Sequence, residues 1–586
     1  MLIINKSEDK PRKKHGCLWT ALILFVVYVA LMAIIGANME NMFSTPATKL
    51  ADQTVYRLKM SGTVVEQAPE QSPFESLMSS MSMMPGMEQQ TIIGLDDLLS
   101  NIRLAKEDSR ILGIYLDGGT LAIGQSQAKE LREALIDFRE SGKWIVAYAN
   151  YYTLPNYYIA SVADHIYLNP IGSIDWNGLS ASKMYYTRLL DKIGVKMQII
   201  KVGTFKSAVE PFFRTSMSDE DRQQTQTYLT GVWDVFKQGV SESRGLTDEQ
   251  LDGLADECMG LAAPQTYLTH GLIDSLVYVQ DMDTVLRHMT GTKKYTLLST
   301  SKMATVKRPE HTADHRIAVV YAEGEIIDEG SQGISETKML KTLKKIAKND
   351  KVRAVVLRVN SPGGSANASE QIWHALRLLQ QKGLPIVVSM SDMAASGGYY
   401  ISCMGDYIFA HPNTLTGSIG IFGMVPCWND LRDKVGLDID GVKTNRHSDI
   451  TTDMMLEGMD ADEQALMQSM VDRGYDLFTS RCAEGRKMQQ DEIKRIGEGR
   501  VWLGQDALRL GLVDELGSMN DAIAKAAELA NLEDYQLVYY PEKKDPMEEL
   551  IKLFDDATKE ERIIAKLRQL CSRPRILALM PEITFN

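Results

Sequence analysis

Cysteine is scarce in this sequence. There are six in 586 residues and none lies in a CxxC pair, which argues against zinc ribbons, thioredoxin-type redox chemistry and a disulfide-dense scaffold. Five of the six follow the single long apolar run, so they cannot all pair with one another, and they read as buried free thiols. An excess of basic charge is also missing: 64 Lys and Arg stand against 77 Asp and Glu, a formal net charge of −13. A chain that coats nucleic acid needs a basic face, so nucleic acid is not an expected partner. No HExxH, Walker loop or G-x-S-x-G is present, which removes the zinc protease, the P-loop nucleotide site and the α/β-hydrolase elbow; neither a metal nor a cofactor is called for. With 44% hydrophobic and 24% charged residues, the chain is neither disordered nor collagen-like. Its length predicts about two to four domains.

One apolar run stands out. Residues 18–37, LWTALILFVVYVALMAIIGA, carry no charge and are long enough to cross a bilayer as a helix. Trp19 sits at one end, where an amphipathic ring suits the interface. Lys6, Lys10, Arg12, Lys13 and Lys14 precede it, against Glu8 and Asp9. This basic segment, 1–17, is expected in the cytoplasm, with the rest of the chain across the membrane. The run is long for a cleaved signal peptide and no A-x-A site follows, so an uncleaved single-pass anchor is expected.

Beyond the anchor, helical and strand periodicities alternate, as in α/β proteins, and the chain resembles itself. LKMSGTVVE at 58–66 is echoed by VYAEGEIID at 320–328. YYIASVAD at 157–164 is echoed by YYISCMGD at 399–406, DKIG at 191–194 by DKVG at 433–436, and GLID at 271–274 by GLVD at 511–514. The last three pairs are separated by 242, 242 and 240 residues. Two copies of one α/β unit are therefore expected, at 54–290 and 315–535, joined by a polar linker at 296–314. In the second unit a strand over 352–359, a glycine-rich turn, a helix over 370–381 and a strand over 384–390 imply parallel pairing. Outside the repeat, 67–92 holds five methionines (Met78, Met81, Met83, Met84 and Met87), and 545–571 has the pattern of an amphipathic helix within a helical extension over 545–586.

Three local features could carry chemistry. Asp392-Met-Ala-Ala-Ser396-Gly397-Gly398 follows an apolar strand, where small neighbours would expose a serine hydroxyl and leave amides free for an anion. Taken alone, a tight strand-to-helix turn with a capping serine explains it better. Asn360-Ser-Pro-Gly363-Gly364 ends the preceding strand, and its glycines could turn an amide towards an oxyanion; a plain βα loop is the commoner explanation. Lys206, in KVGTFKSAVEP, could act as a base only if desolvation brought its amine from about 10.4 to about 7–8; most lysines are simply exposed. At the offset of 242, Ser396 aligns with Leu154 and Lys206 with Ser448. Each half would then hold one member of a Ser–Lys pair, with the site where the halves meet.

GTFKSAVEPF, the SPGG turn, the DMAASGGYYIS block and the TGSIGIFG block, in that order, resemble the signal peptide peptidase A (protease IV) family in its long, duplicated, membrane-anchored form, over roughly 50–540. The resemblance implies an α/β fold of two tandem Clp-protease/crotonase-like repeats. It implies a serine protease with Ser396 as nucleophile, Lys206 as general base and Ser418 orienting the lysine amine. It also implies Gly363 and Gly397 as oxyanion donors, an acyl-enzyme, cleaved signal peptides and other apolar exported peptides as substrates, and a homotetrameric ring. Two rivals follow from the fold alone. An acyl-CoA enzyme of the crotonase class needs neither the anchor, the lysine nor the serine. A degenerate scaffold would have lost Ser396 or Lys206, and both are present.

Overall fold

The computed structural model describes residues 48–68, 91–308, 311–330, 332–542 and the backbone of 576–579. The expected basic N-terminus 1–17, the anchor 18–37, nearly all of the methionine-rich segment and 545–575 lie outside the described residues. Among the described residues no helix is long and apolar enough to cross a membrane.

Two mixed α/β layers account for most of the chain. The first sheet orders its strands Thr296–Ser299, Thr54–Lys59, Ile111–Asp117, Trp144–Tyr152, His165–Ile174 and Ser275–Leu276, all parallel. The second runs Val501–Leu503, Leu415–Gly417, Ile386–Ala395, Val352–Ser361, Arg316–Glu323 and Gln536–Tyr540, parallel except for Val501–Leu503. Central strands such as Val352–Ser361 are covered on both faces, which is why they read as unbroken Val, Ile and Leu runs and not as an alternation.

The internal resemblance is a resemblance of structural tasks. Helices Asp219–Arg244 and Ala461–Arg486 each span 26 residues. At their ends Arg244 pairs with Asp274 at 2.9 Å and Arg486 with Asp514 at 2.5 Å. Tyr157 donates its hydroxyl to the Leu272 carbonyl at 2.7 Å, and Tyr399 donates to that of Leu512 at 3.0 Å. Asp164 and Asp406 accept from the backbone N–H of Ile145 and Ile386 at 2.8 and 2.7 Å. Each repeated motif thus satisfies buried backbone groups at a strand end.

Three expected boundaries move. The linker expected over 296–314 is structured at its start: Thr296–Ser299 is the edge strand beside Thr54–Lys59 and Thr300–Ala304 is helical, because Leu298 and Met303 are apolar enough to be buried against the first core. The second unit continues past 535, since Gln536–Tyr540 adds a strand to its sheet. Within the expected helical extension 545–586, Ile576–Leu579 is a strand.

A buried ion cluster closes the halves on each other. Arg358, 1% exposed, donates to Glu66 at 2.7 Å and to Glu130 at 2.6 Å, both from the first half. Burial alone would lower the Arg358 pKa, but Glu130 and Glu66 hold it above its ordinary value. Burial would raise Glu130, yet Arg358 and His411 together outweigh it and bring that carboxyl down to about 2. Charges this deep are tolerable only when paired.

Candidate functional site

A third sheet carries the lysine across the halves. Lys196–Lys201, from the first half, lies antiparallel to Phe422–Cys427 of the second, with Lys201 opposite Phe422. The turn that follows is pinned to the second half: Val202 N–H donates to Ile421 O at 3.0 Å and Phe205 N–H to Glu498 O at 3.0 Å. Gln224 holds the same turn from its own half, donating to Phe205 O at 3.1 Å and Ser207 Oγ at 3.0 Å. Two glycines make the close approach possible. A Cβ on Gly499 (φ +77°) would fall 2.6 Å from Lys206 Cβ, and a Cβ on Gly420 would fall 3.3 Å from Lys206 Cδ. Gly420 lies in the TGSIGIFG block, but Gly499 belongs to no motif read from the sequence; a glycine's closeness to a partner is visible only once the partner segment is known.

Ser396 stands where the strand Ile386–Ala395 turns into the helix Gly397–Ser402. Its backbone is at φ 57° and ψ −116°, a conformation uncommon for a residue with a β-carbon, and it is held there by its N–H donating to Gly417 O at 2.8 Å. The small neighbours have a geometric reason. A Cβ on Gly397 would lie 3.1 Å from Gly364 N and 3.2 Å from Gly363 Cα, and one on Gly398 would lie 2.7 Å from Ser361 O. The helix therefore begins directly on the Gly363-Gly364 turn, whose φ values of +101° and +154° need glycine.

The structure brings the sequence-predicted residues together. Lys206 Nζ lies 2.8 Å from Ser396 Oγ, 3.1 Å from Ser418 Oγ and 3.0 Å from Ser418 O. All three residues are buried. Burial, with no charged partner, brings the Lys206 amine from its usual value to about 7. A neutral amine has two N–H bonds and one lone pair. Ser418 O and Oγ can take the two N–H bonds, which leaves the lone pair for the Ser396 hydroxyl proton. Gly397 and Gly363 adjoin each other beside Ser396; the Gly363 N–H donates to Ser361 Oγ at 3.2 Å. Ser448, the sequence counterpart of Lys206, is exposed, and its hydroxyl donates to Asn445 O at 3.0 Å.

The third sheet also contains a lane beside the serine. The backbone of Ile576–Leu579 runs antiparallel to Gly363–Ser365 on one side, with Leu579 opposite Gly363. On the other side it runs antiparallel to Phe422–Cys427, with Leu577 opposite Phe422. The lane accepts an extended backbone through main-chain pairing on both flanks. Among the described residues no group of His, Cys, Asp and Glu could hold a metal ion. Cys403, Cys427 and Cys482 are buried free thiols, while Cys258 is free and exposed.

The profile of peptidase family S49 matches residues 137–293 and 378–533, one segment in each half. The chain is 38% identical to Protease 4 of Salmonella typhi over 464 residues, covering 77% of this chain and 74% of that protein. It is 35% identical to Protease 4 of Haemophilus influenzae over 533 residues, 88% of this chain and 85% of that protein. It is 28% identical to the chloroplastic serine protease SPPA of Arabidopsis thaliana over 452 residues, 75% of this chain and 66% of that protein.

Proposed function

The chain belongs to peptidase family S49 and is a serine protease, and on that premise we propose that Ser396 is its nucleophile and Lys206 the base that activates it. The observation that carries this reading is the 2.8 Å approach of Lys206 Nζ to Ser396 Oγ, with burial bringing the amine to about 7. A base with that pKa is largely neutral at physiological pH and still accepts a proton.

Lys206 takes the Ser396 hydroxyl proton as the serine oxygen attacks a peptide carbonyl carbon. The carbonyl electrons move to its oxygen, which the amides of Gly397 and Gly363 stabilise; Gly363 releases Ser361 Oγ to do so. Collapse of this intermediate expels the amine, protonated by Lys206, and leaves an acyl-enzyme on Ser396. Water, deprotonated by the same lysine, releases the acid and restores the serine. Ser418 orients the amine throughout.

The substrate backbone takes the lane between Gly363–Ser365 and Phe422–Cys427, as an extended strand. The sequence now in that lane, Ile-Leu-Ala-Leu, is wholly apolar, which supports cleaved signal peptides and other apolar exported peptides as the substrate class. In this reading the repeats are of the Clp-protease/crotonase type. Residues 18–37 anchor the chain in a bacterial cytoplasmic membrane, with the catalytic body on the extracytoplasmic side. The assembly is a homotetramer: the segment 437–442, counterpart of the lysine-bearing strand, leaves Leu437, Ile439 and Val442 exposed, and a second copy would cover them.

The test is hydrolysis of signal-peptide-like apolar peptides by the full chain in detergent, beside Ser396→Ala and Lys206→Ala. The parent should cleave and each variant should lose about 10⁴-fold or more in kcat. Equal activity in all three would overturn the assignment.

A further inference from the structure

The first half has its own version of the lane, emptied of chemistry. Strands Ile92–Gly94, Gly62–Val65 and Leu121–Ala122 form a small sheet in that order. In the second half Ile334–Ser335, Ile326–Ile327 and Gly363–Ser365 are ordered the same way. The strand Gly363–Ser365 is therefore represented by Leu121–Ala122, which has no glycine, and at the offset of 242 residues Ser396 is represented by Leu154. The outer edge of Gly363–Ser365 carries the strand Ile576–Leu579. Among the described residues no strand pairs with the outer edge of Leu121–Ala122.

Beside that open edge is a cavity of about 640 Å³, within the range of ligand-binding clefts. Leu121, Ile123, Leu154, Leu179 and Phe236 line it from the first half and Met393 from the second. Neither Ser396 nor Lys206 contributes to it, so it is distinct from the catalytic cluster. Its charged lining consists of Asp175 and Asp392, with no Lys or Arg. The wall residue Met393 belongs to the strand that leads to Ser396, so the strand that positions this serine also borders the cavity.

We propose that this cavity is a second, non-catalytic peptide site, which takes an extended apolar stretch flanked by a basic residue as an added strand on Leu121–Ala122. Strand addition needs a free edge and apolar space beside it for side chains, and both are present. The duplicate of this edge already pairs with an apolar strand, which argues for the class of occupant. The acidic lining argues for the basic flank. Replacing the glycines by Leu121 and Ala122, and the serine by Leu154, removes the chemistry and adds apolar surface. A long substrate could then be held by the first half while the second cleaves it. This inference rests on the peptide-lane reading of the proposed function.

The test uses the full chain with Ser396→Ala in detergent, so that binding is read without cleavage. The probe is the peptide Arg-Ile-Leu-Ala-Leu with a benzophenone replacing its alanine side chain; adducts are mapped by mass spectrometry. Two sets of adducts are expected on each chain, one at Gly363–Ser365 and Phe422 and one at Ile123, Leu179 and Met393. Leu179→Glu and Ile123→Glu, made separately, should each reduce the second set by about tenfold and leave the first, since a carboxylate in the apolar cavity opposes burial of the peptide. Adducts in the first set alone overturn the second site and leave the catalytic lane standing. A second set that survives both substitutions also overturns it. Labelling of the second set only after deletion of 69–90 would make the chain's own methionine-rich segment the occupant, against the proposal. Labelling at neither place overturns the peptide reading of both.

Discussion

Tyr157 and Tyr399 perform the same task in the two halves, as do Arg244 and Arg486, yet Leu154 and Ser396, only three residues before those tyrosines, do not match. The same divergence separates Leu121-Ala122 from Gly363-Gly364, and exposed Ser448 from buried Lys206. Groups that close strand ends kept their partners in both copies, because an unsatisfied buried polar group costs about 1–3 kcal/mol wherever it lies. The groups proposed to carry chemistry, Ser396 and Lys206, are divided between the copies. The division requires the halves to stay in register, and the antiparallel pair of Lys196–Lys201 with Phe422–Cys427 provides that register.

The largest effect should come from trying to restore chemistry to the first half. In the Ser396→Ala chain, Leu154→Ser should recover none of the lost kcat, which remains down by about 10⁴-fold or more. Residues 121 and 122 are not glycine, and the lysine is committed elsewhere. Recovery of peptide hydrolysis would show that the halves differ less than their geometry says. Next in size is the contact that joins them. Arg358→Met would leave Glu66 and Glu130 buried without their cation, and chemical denaturation should show a loss of about 3–5 kcal/mol. A loss confined to the second half's unfolding would contradict its role as a clasp between halves.

The smallest effect concerns Glu323, an acid at the same junction. Burial, and then Glu66, raise Glu323 from 4.5 to about 7. Between those values the folded chain retains a proton that the unfolded chain has released. Glu323 therefore costs stability progressively as pH rises through that window, and in full above it. Glu323→Gln keeps an acceptor for the Glu66 N–H and removes the cost. Calorimetry should find the variant's Tm about 2 °C higher at pH 8 and little changed at pH 4. An equal gain at both values would refute the titration.

The parts legible in the sequence were those with a fixed partner at fixed spacing. The tyrosine and aspartate motifs recur at an offset of 242 residues because each satisfies a backbone group of its own half. Ser396 and Lys206, which lie 2.8 Å apart, stand out in the sequence because each is present in one copy and replaced in the other. The third sheet was not. Gly363–Ser365 is three residues long with two glycines, too short to show a period, and its neighbours come from distant parts of the chain. No spacing in the sequence links Glu66 and Glu130 to Arg358, which joins them only in the fold. Thr296–Ser299 was lost in a polar stretch because an edge strand needs only one buried face, here supplied by Leu298.

The most direct test of a lysine base shared across the halves is the pH dependence of Ser396 acylation by an active-site-directed acylating reagent, in the full chain and in Lys206→Met. Protonated lysine cannot accept the serine proton, and its amine lies near 7. The acylation rate should therefore fall by about tenfold per pH unit below that value, level off above it, and be lost in Lys206→Met. A parent rate that is flat from pH 5 to 9, or a Lys206→Met chain acylated as fast as the parent, would contradict the account.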